Sequence, residues 1–405
     1  MGIRPKLVLR YSDWVTSKLS QHEPVHRWFL FPHSFSREIV EGLLQDWRLS
    51  LDSKLLDPFS GAGTTLLTAK QQGYHAIGYD ISPLAVFASN VKVARYSSDI
   101  RVDWEILKRS LHESVRSTSG APTDILRRAF TRRSWDALIH IRRSVAKVTR
   151  RPHRQLFELG LLVTLSKFSK ARRTGGWLRW DSASEDWRCV IPSFTRQIKL
   201  MLNDLSVSDP LIKRKACRAY LADARALPAR DQDIDAVITS PPYPNRHDYS
   251  RIFNIELSFA FLNDLAIKEL RNQSFRSHVE AQKPNLPTCG YRRPRTLARI
   301  LGTIEKRAKD RRVPQMIDGY FEDMYLHLAS LSNRLKKDAR LAYILGNVQY
   351  HGVAVPVDLI TAEIGKNIGF KIEGLSVARY RGNSAQQMGE YGRRPSRETI
   401  LVMSK

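Results

Sequence analysis

Two short apolar stretches, each ending in a carboxylate and each followed by a helix-forming segment, fall within about forty residues at 54–93, and a third apolar run at 235–239 revives the pattern after a long interruption. Together they predict an α/β chain with a doubly wound, Rossmann-like parallel sheet carrying helical and basic-loop insertions. The length of 405 residues agrees, because it exceeds the usual single-domain size and leaves room for one α/β core plus insertions.

In chain order, residues 1–35 carry Trp14, Trp28, Phe29, Phe31 and Phe35 among Pro24 and Pro32, the composition of an irregular arm leaning on the core. Residues 36–47 predict a helix whose Ile39, Val40, Leu43 and Leu44 share one face, with Ser36 available as its cap. The strand 54–57 runs into Gly61 and Gly63 and then a helix over 64–72. A second strand at 75–80 leads through Pro83 into a helix ending near residue 93.

From 97 to 215 the spacing turns helical, as in Trp104, Leu107 and Leu111 or Leu156, Leu159, Leu162 and Val163, laced with Arg and Lys. Strands resume at 219–221, ahead of Asp223, and at 235–239, and 248–262 reads as a single helix. Residues 270–314 are rich in Arg, Lys, Pro and Gly, show little apolar periodicity and predict a mobile basic loop. A helix at 320–335, a strand at 339–345, a helix at 357–367 and strands at 370–377 and 399–403 complete the sheet. The domain plan is therefore an arm (1–35), a sheet domain in three pieces (36–96, 216–265 and 316–405), a helical insertion (97–215) and a basic loop insertion (266–315).

A formal charge of +26 and a pI near 10.2 exceed what solubility needs. Such a surplus attracts a polyanion through phosphate neutralisation and counterion release, which makes nucleic acid the expected partner and a basic but inert surface the alternative. Cys189, Cys217 and Cys289 have spacings of neither a zinc cluster nor a disulfide framework, so no metal is expected. With no apolar run of membrane-spanning length and an N-terminus bearing Arg4, Lys6 and Arg10 but no apolar stretch, a soluble cytoplasmic chain is expected, nucleoid-associated in a prokaryote.

Two loops carry chemistry. In the run from Asp57, Pro58 and Phe59 through Gly61 and Gly63 to Thr64, alternate glycines let the backbone turn tightly at the sheet edge and approach a ligand. The spacing is not Gly-x-Gly-x-x-Gly and lacks the Lys-Ser/Thr pair of a phosphate loop, which disfavours a dinucleotide or a P-loop nucleotide. Asp57 suits an ammonium or a ribose hydroxyl. Asp80, at the tip of the next strand, is placed to accept from ribose hydroxyls, and Asp223, at the tip of the third, from an adenine amino group. Each alone reads more readily as a helix-capping aspartate. Three carboxylates at successive strand tips point to one adenosyl ligand.

The second loop is Ser240, Pro241, Pro242 and Tyr243, directly after an apolar strand. An exocyclic base amine is a poor nucleophile because its lone pair is delocalised into the ring. Acceptors that bind its hydrogens draw the nitrogen toward tetrahedral geometry, and the Ser240 hydroxyl and Pro241 carbonyl suit that task. Tyr243 offers a flat face on which a base rotated out of a duplex stacks.

The pair of motifs resembles the DNA amino-methyltransferases that make N4-methylcytosine or N6-methyladenine. The Asp57 to Gly63 run matches that family's Asp-Pro-Phe-x-Gly-x-Gly, and Ser240 to Tyr243 its catalytic tetrapeptide. The likeness covers roughly 22–95 and 217–260. It implies S-adenosyl-L-methionine as methyl donor, with Asp57, Phe59, Gly61 and Gly63 around its methionine end, Asp80 at the ribose and Asp223 at the adenine. Phe35 and Ser36 are implied contacts from the upstream motif, and Pro58 and Thr64 belong to the same cofactor loop.

The serine form is similar to the one seen mostly in cytosine-N4 enzymes, so the resemblance implies a site-specific enzyme acting on double-stranded DNA with a flipped target base, in a restriction-modification or related defence system with a possible companion endonuclease. Residues 97–215 and the arginine-rich 270–314 become the two candidates for DNA recognition. An N6-adenine enzyme, an RNA or tRNA guanine-N2 enzyme, which usually carries Asp in place of Ser240, and an inactive nucleic-acid binder stay as alternatives. Cytosine-C5 chemistry needs a nucleophilic cysteine after a proline, and none of the three cysteines has one.

Overall fold

The computed structural model describes residues 4–118, 120–174, 176–207, 215–229, 232–382, 389–392 and 394–405. Its strands are β1 (Lys6–Leu7), β2 (Lys54–Asp57), β3 (His75–Asp80), β4 (Ala171–Thr174), β5 (Trp177–Trp180), β6 (Cys217–Leu221), β7 (Ile234–Thr239), β8 (Leu335–Gly346), β9 (Val348–Tyr350), β10 (Val353–Val355), β11 (Lys371–Arg381) and β12 (Ser396–Ser404). Eight form one sheet in the order β1-β11-β12-β8-β7-β2-β3-β6. From β6 to β8 neighbouring strands run parallel, while β12 runs antiparallel to both β8 and β11. The expected doubly wound parallel sheet is thus present, closed at one end by an antiparallel strand. At the far edge β1 pairs parallel with β11.

A parallel sheet is covered on both faces, so its central strands are apolar throughout. Leu55 and Leu56 of β2 are both fully buried, yet they point to opposite sides. Leu55 packs with Ile39, Leu66 and Ala88 of the helices Arg37–Trp47, Thr64–Gln72 and Pro83–Val93. Leu56 packs with Tyr320 and Ile360 of the helices Arg312–Ser332 and Val357–Ile368. The register pairs Asp57 with Gly78 and Asp80 with Leu221, which brings the tips of β2, β3 and β6 to one edge.

Strands 54–57 and 75–80 and helices 64–72 and 83–93 have the expected bounds. Strand β1 in the arm and the β9–β10 pair were not expected, the helix expected at 320–335 runs Arg312–Ser332, and three further segments differ. The single helix expected at 248–262 is two, Tyr249–Ile252 and Asn254–Ala260, broken at Phe253 (φ −105°, ψ 19°), whose ring packs 4.4 Å from that of Phe31. The basic loop expected at 266–315 carries the helix Arg295–Glu305 and parts of Asp264–Gln273 and Arg312–Ser332. Leu297, Ile300, Leu301 and Ile304 supply its buried stripe, spaced at helical intervals among arginines. The insertion 97–215 is helical as expected but also contains the β4–β5 hairpin; its residues 208–214 lie outside the described residues.

Candidate active site

At the edge where the strands end, a cleft of about 1150 Å³, the solvent at its open mouth included, is lined by both loops. Its wall includes Asp57, Pro58, Phe59, Gly61 and Thr64 of the first loop, Asp80, Asp223, and Ser240 and Pro242 of the second. Phe35 also lines it. Ser36 does not: its hydroxyl donates to the Thr16 carbonyl, tying the helix start to the N-terminal arm.

The first loop is shaped by its carboxylates. Asp80 accepts from the Gly61 N–H and the Ser82 N–H, both at 2.9 Å, so it folds the glycine loop and steadies the entry to the next helix at once. Asp57 accepts from the Thr239 hydroxyl at 2.6 Å and the Phe59 N–H at 3.1 Å, and the first of these bonds joins the tip of β2 to the tip of β7 just before Ser240. Burial pushes both carboxyls up to about 6, against the hydrogen bonds that favour their charged forms. Asp223 is engaged already: the Arg225 guanidinium donates to it at 2.7–3.1 Å.

Gly63 lies behind the lining rather than on it, and it is irreplaceable for two reasons. Its φ of +80° is left-handed, and a Cβ there would meet the Ser89 Oγ at 2.8 Å and the Ser89 Cα at 3.0 Å. Gly63→Ala is therefore expected to cost on the order of 2 kcal/mol in stability and to weaken cofactor binding tenfold or more. Thermal unfolding and titration calorimetry check this, and unchanged affinity would mean that the loop does not shape the ligand site.

In the second loop, the Ser240 hydroxyl donates to the Ile344 carbonyl on β8 at 3.2 Å, which leaves its lone pairs as acceptors toward the cavity. Pro241 is buried behind the wall. Tyr243 is also behind it, 5% exposed, against Gly346, where a Cβ would come within 2.6 Å of the ring, and with the Arg381 guanidinium 5.7 Å from the ring centroid. The aromatic surface on the cavity side comes instead from Phe31, Tyr249 and Phe253, with Phe31 and Tyr249 stacked at 6.3 Å.

Sequence reasoning passed over several lining residues. His33 and His247 face each other at 4.6 Å, and burial, with the Arg381 charge adding to it, lowers both to about 4, so both are neutral at pH 7. Phe275, Ser277 and His278 close another side, held because Arg276 between them is clamped to the buried Asp323 at 2.5 Å and 3.0 Å. Tyr249 and Phe253, four apart after the tetrapeptide, carried a readable helical spacing. His33 and Arg381 carried no local signal.

A family profile described as DNA methylase matches residues 8–90, which include the arm and the first loop. The chain is 30% identical to Type II methyltransferase M.AvaI of Nostoc over 440 residues, covering 96% of this chain and 88% of that protein. It is 27% identical to Type II methyltransferase M.BsoBI of Geobacillus stearothermophilus, covering 96% and 87%. Type II methyltransferase M.MvaI of Kocuria varians is 21% identical, covering 85% and 81%.

Proposed function

Because the chain belongs to the Type II DNA methyltransferases of the N6/N4 family and S-adenosylmethionine is its methyl donor, we propose that it methylates the exocyclic N4 of cytosine at a specific DNA site. The observation that carries the reading is Ser240, an acceptor at the cavity wall whose own proton is committed to Ile344. A serine in this position, rather than Asp or Asn, supports cytosine over adenine. A restriction-modification setting with a companion endonuclease and a cytoplasmic, nucleoid-associated location are parts of the same proposal.

The cavity fits the cofactor by its donor set. The buried Asp57 and the half-buried Asp80, both pushed up to about 6, offer acceptors for hydroxyls and a cation, and the aromatic rings of Phe31, Phe59 and Phe275 offer apolar cover. In this reading Asp57, Pro58, Phe59, Gly61 and Thr64, shaped by Gly63 from behind, hold the methionine end, Asp80 the ribose and Asp223 the adenine, with Phe35 closing the wall. S-adenosylmethionine supplies an electrophilic methyl carbon on a sulfonium.

The chain's own residues bind and orient. Ser240 accepts an amine hydrogen and localises the lone pair on nitrogen, while Tyr249 and Phe253 exclude water from the reacting atoms. Transfer is a direct in-line displacement in which the nitrogen–carbon bond forms as the carbon–sulfur bond breaks, and the surplus amine proton leaves to solvent. Proximity and alignment provide the rate, and no covalent bond forms to the protein.

Expression in a host free of DNA methylation, followed by modified-base sequencing, tests the proposal. N4-methylcytosine at one motif is expected. N6-methyladenine would overturn the choice of base, and unmodified DNA would overturn the activity.

A pH dependence follows from Asp57 and Asp80. Their values near 6 lie above the unfolded value near 4, so in the ligand-free chain they contribute stability that is complete below about pH 4 and is lost as pH rises through 6. A ligand that pairs with the ionised forms reverses the preference. Cofactor affinity should therefore rise with pH through 6 and level off near 7, with Kd at pH 5 roughly tenfold weaker than at pH 7 for each of the two carboxylates that binding ionises, about a hundredfold for both. Calorimetry across pH 5–8 checks this; a flat profile would remove both carboxylates from the ligand site.

A further inference from the structure

The β4–β5 hairpin presents two unlike faces. Its register pairs Arg172 with Arg179 and Thr174 with Trp177, and paired residues share a side of the ribbon. On the inner side, Arg173 forms an ion pair with the buried Glu256 and lies 4.5 Å over the Phe253 ring, while Leu178 and Trp180 pack onto the core. Gly176 is pressed against the second loop so closely that a Cβ would come within 2.6 Å of the His247 imidazole. Phe253 and His247 both line the cavity, so the hairpin is anchored to its rim twice.

The outer side does the reverse. Trp177, bonded to Gly176, is 63% exposed, and the side chains of Arg172 and Arg179 are equally so. The two arginines share one carboxylate, Asp181, at 2.5 Å and 3.3 Å, which leaves the face positive. A tryptophan held in water at a fixed place beside two guanidiniums has lost the apolar burial its ring would otherwise gain. Guanidiniums suit phosphates and the indole suits a base face, so the chemistry matches double-stranded DNA laid across the cavity mouth.

We propose that the outer face of the β4–β5 hairpin is the surface that meets DNA at the cavity, and that Trp177 stacks on the bases bordering the target as that base leaves the helix. The inference rests on the reading above, in which the target base is taken out of the stack before transfer. Arg172 and Arg179 hold the flanking phosphates, and the ion pair of Arg173 with Glu256 keeps the distance between Trp177 and Ser240 fixed.

The test compares wild type, Trp177→Ala and Trp177→Phe on two duplexes carrying the mapped site: one with the target base normally paired, one with an abasic position opposite it, where extrusion costs little. Trp177→Ala should lose tenfold or more in kcat/KM on the paired duplex and return to within about threefold of wild type on the abasic one. Trp177→Phe should keep most of the wild-type rate, and cofactor Kd should stay unchanged in both. If the alanine variant is unstable, Trp177→Leu, which keeps bulk without an aromatic face, makes the same comparison. Unaltered rates on the paired duplex, or an equal loss on both duplexes, would overturn the role of Trp177. A wild-type enzyme inert on every DNA would instead defeat the functional reading itself.

Discussion

Ser240→Ala is expected to lower methyl transfer by two orders of magnitude or more while leaving cofactor affinity within about threefold. The hydroxyl donates to the Ile344 carbonyl and also hydrogen-bonds with the Tyr243 side chain, so its removal touches two neighbours and no strand pairing. What is lost is the acceptor that the target amine meets in this reading, at a point on the cavity wall where Tyr243 lies behind the surface. Removing a single preorganised polar group that stabilises a transition state typically costs 10² to 10³ in kcat. Single-turnover transfer from tritiated cofactor reads the rate, and calorimetry reads the affinity. A parallel fall in both would make the loop a structural support.

Asp323→Ala should cost about 3 kcal/mol of stability. The carboxylate is fully buried and accepts from the Arg276 backbone N–H at 2.9 Å, from its guanidinium, and from the Arg225 Nη1 at 3.0 Å. Those guanidiniums are themselves only 9% and 2% exposed, so deletion strands positive charge away from water. Glu322 and Asp223 remain as second partners, which keeps the cost toward the lower end for a broken buried pair. Cofactor binding should weaken as well, because Arg276 fixes Phe275 and Ser277 on the cavity wall. Asp318→Ala, which breaks the exposed pair with Arg293, is the control and should cost under about 1 kcal/mol. Equal denaturant midpoints for the two variants would refute the argument.

What the sequence disclosed, it disclosed through local patterns. Lys54–Asp57 and Thr64–Gln72 are readable because a short apolar run, two glycines and a helix-forming stretch lie side by side, and the glycine positions are dictated by backbone angle and close approach. The hairpin was not readable. Its inward residue is an arginine, and the partner that permits this, Glu256, lies 83 residues away. The same holds for Tyr243, whose surroundings come from Gly346 and Arg381 on strands laid down much later in the chain. In the helix Arg295–Glu305 the buried stripe was in plain view, but the arginines around it set the average that was read.

The pairing of β1 with β11 bears on when this chain can act. Lys6–Leu7 is synthesised more than 360 residues ahead of its neighbour Lys371–Arg381. At roughly 5–20 residues per second, that is some twenty seconds to a minute of synthesis. For about half of that time the loop at Asp57 exists without Thr239 or Ser240 opposite it, and for all of it the first strand lacks the neighbour it pairs with. Nascent fragments that stop before β7 thus hold half a cofactor pocket and no acceptor, and longer ones still lack β8 and β12 beside it, so transfer activity should switch on only once β12 has been made.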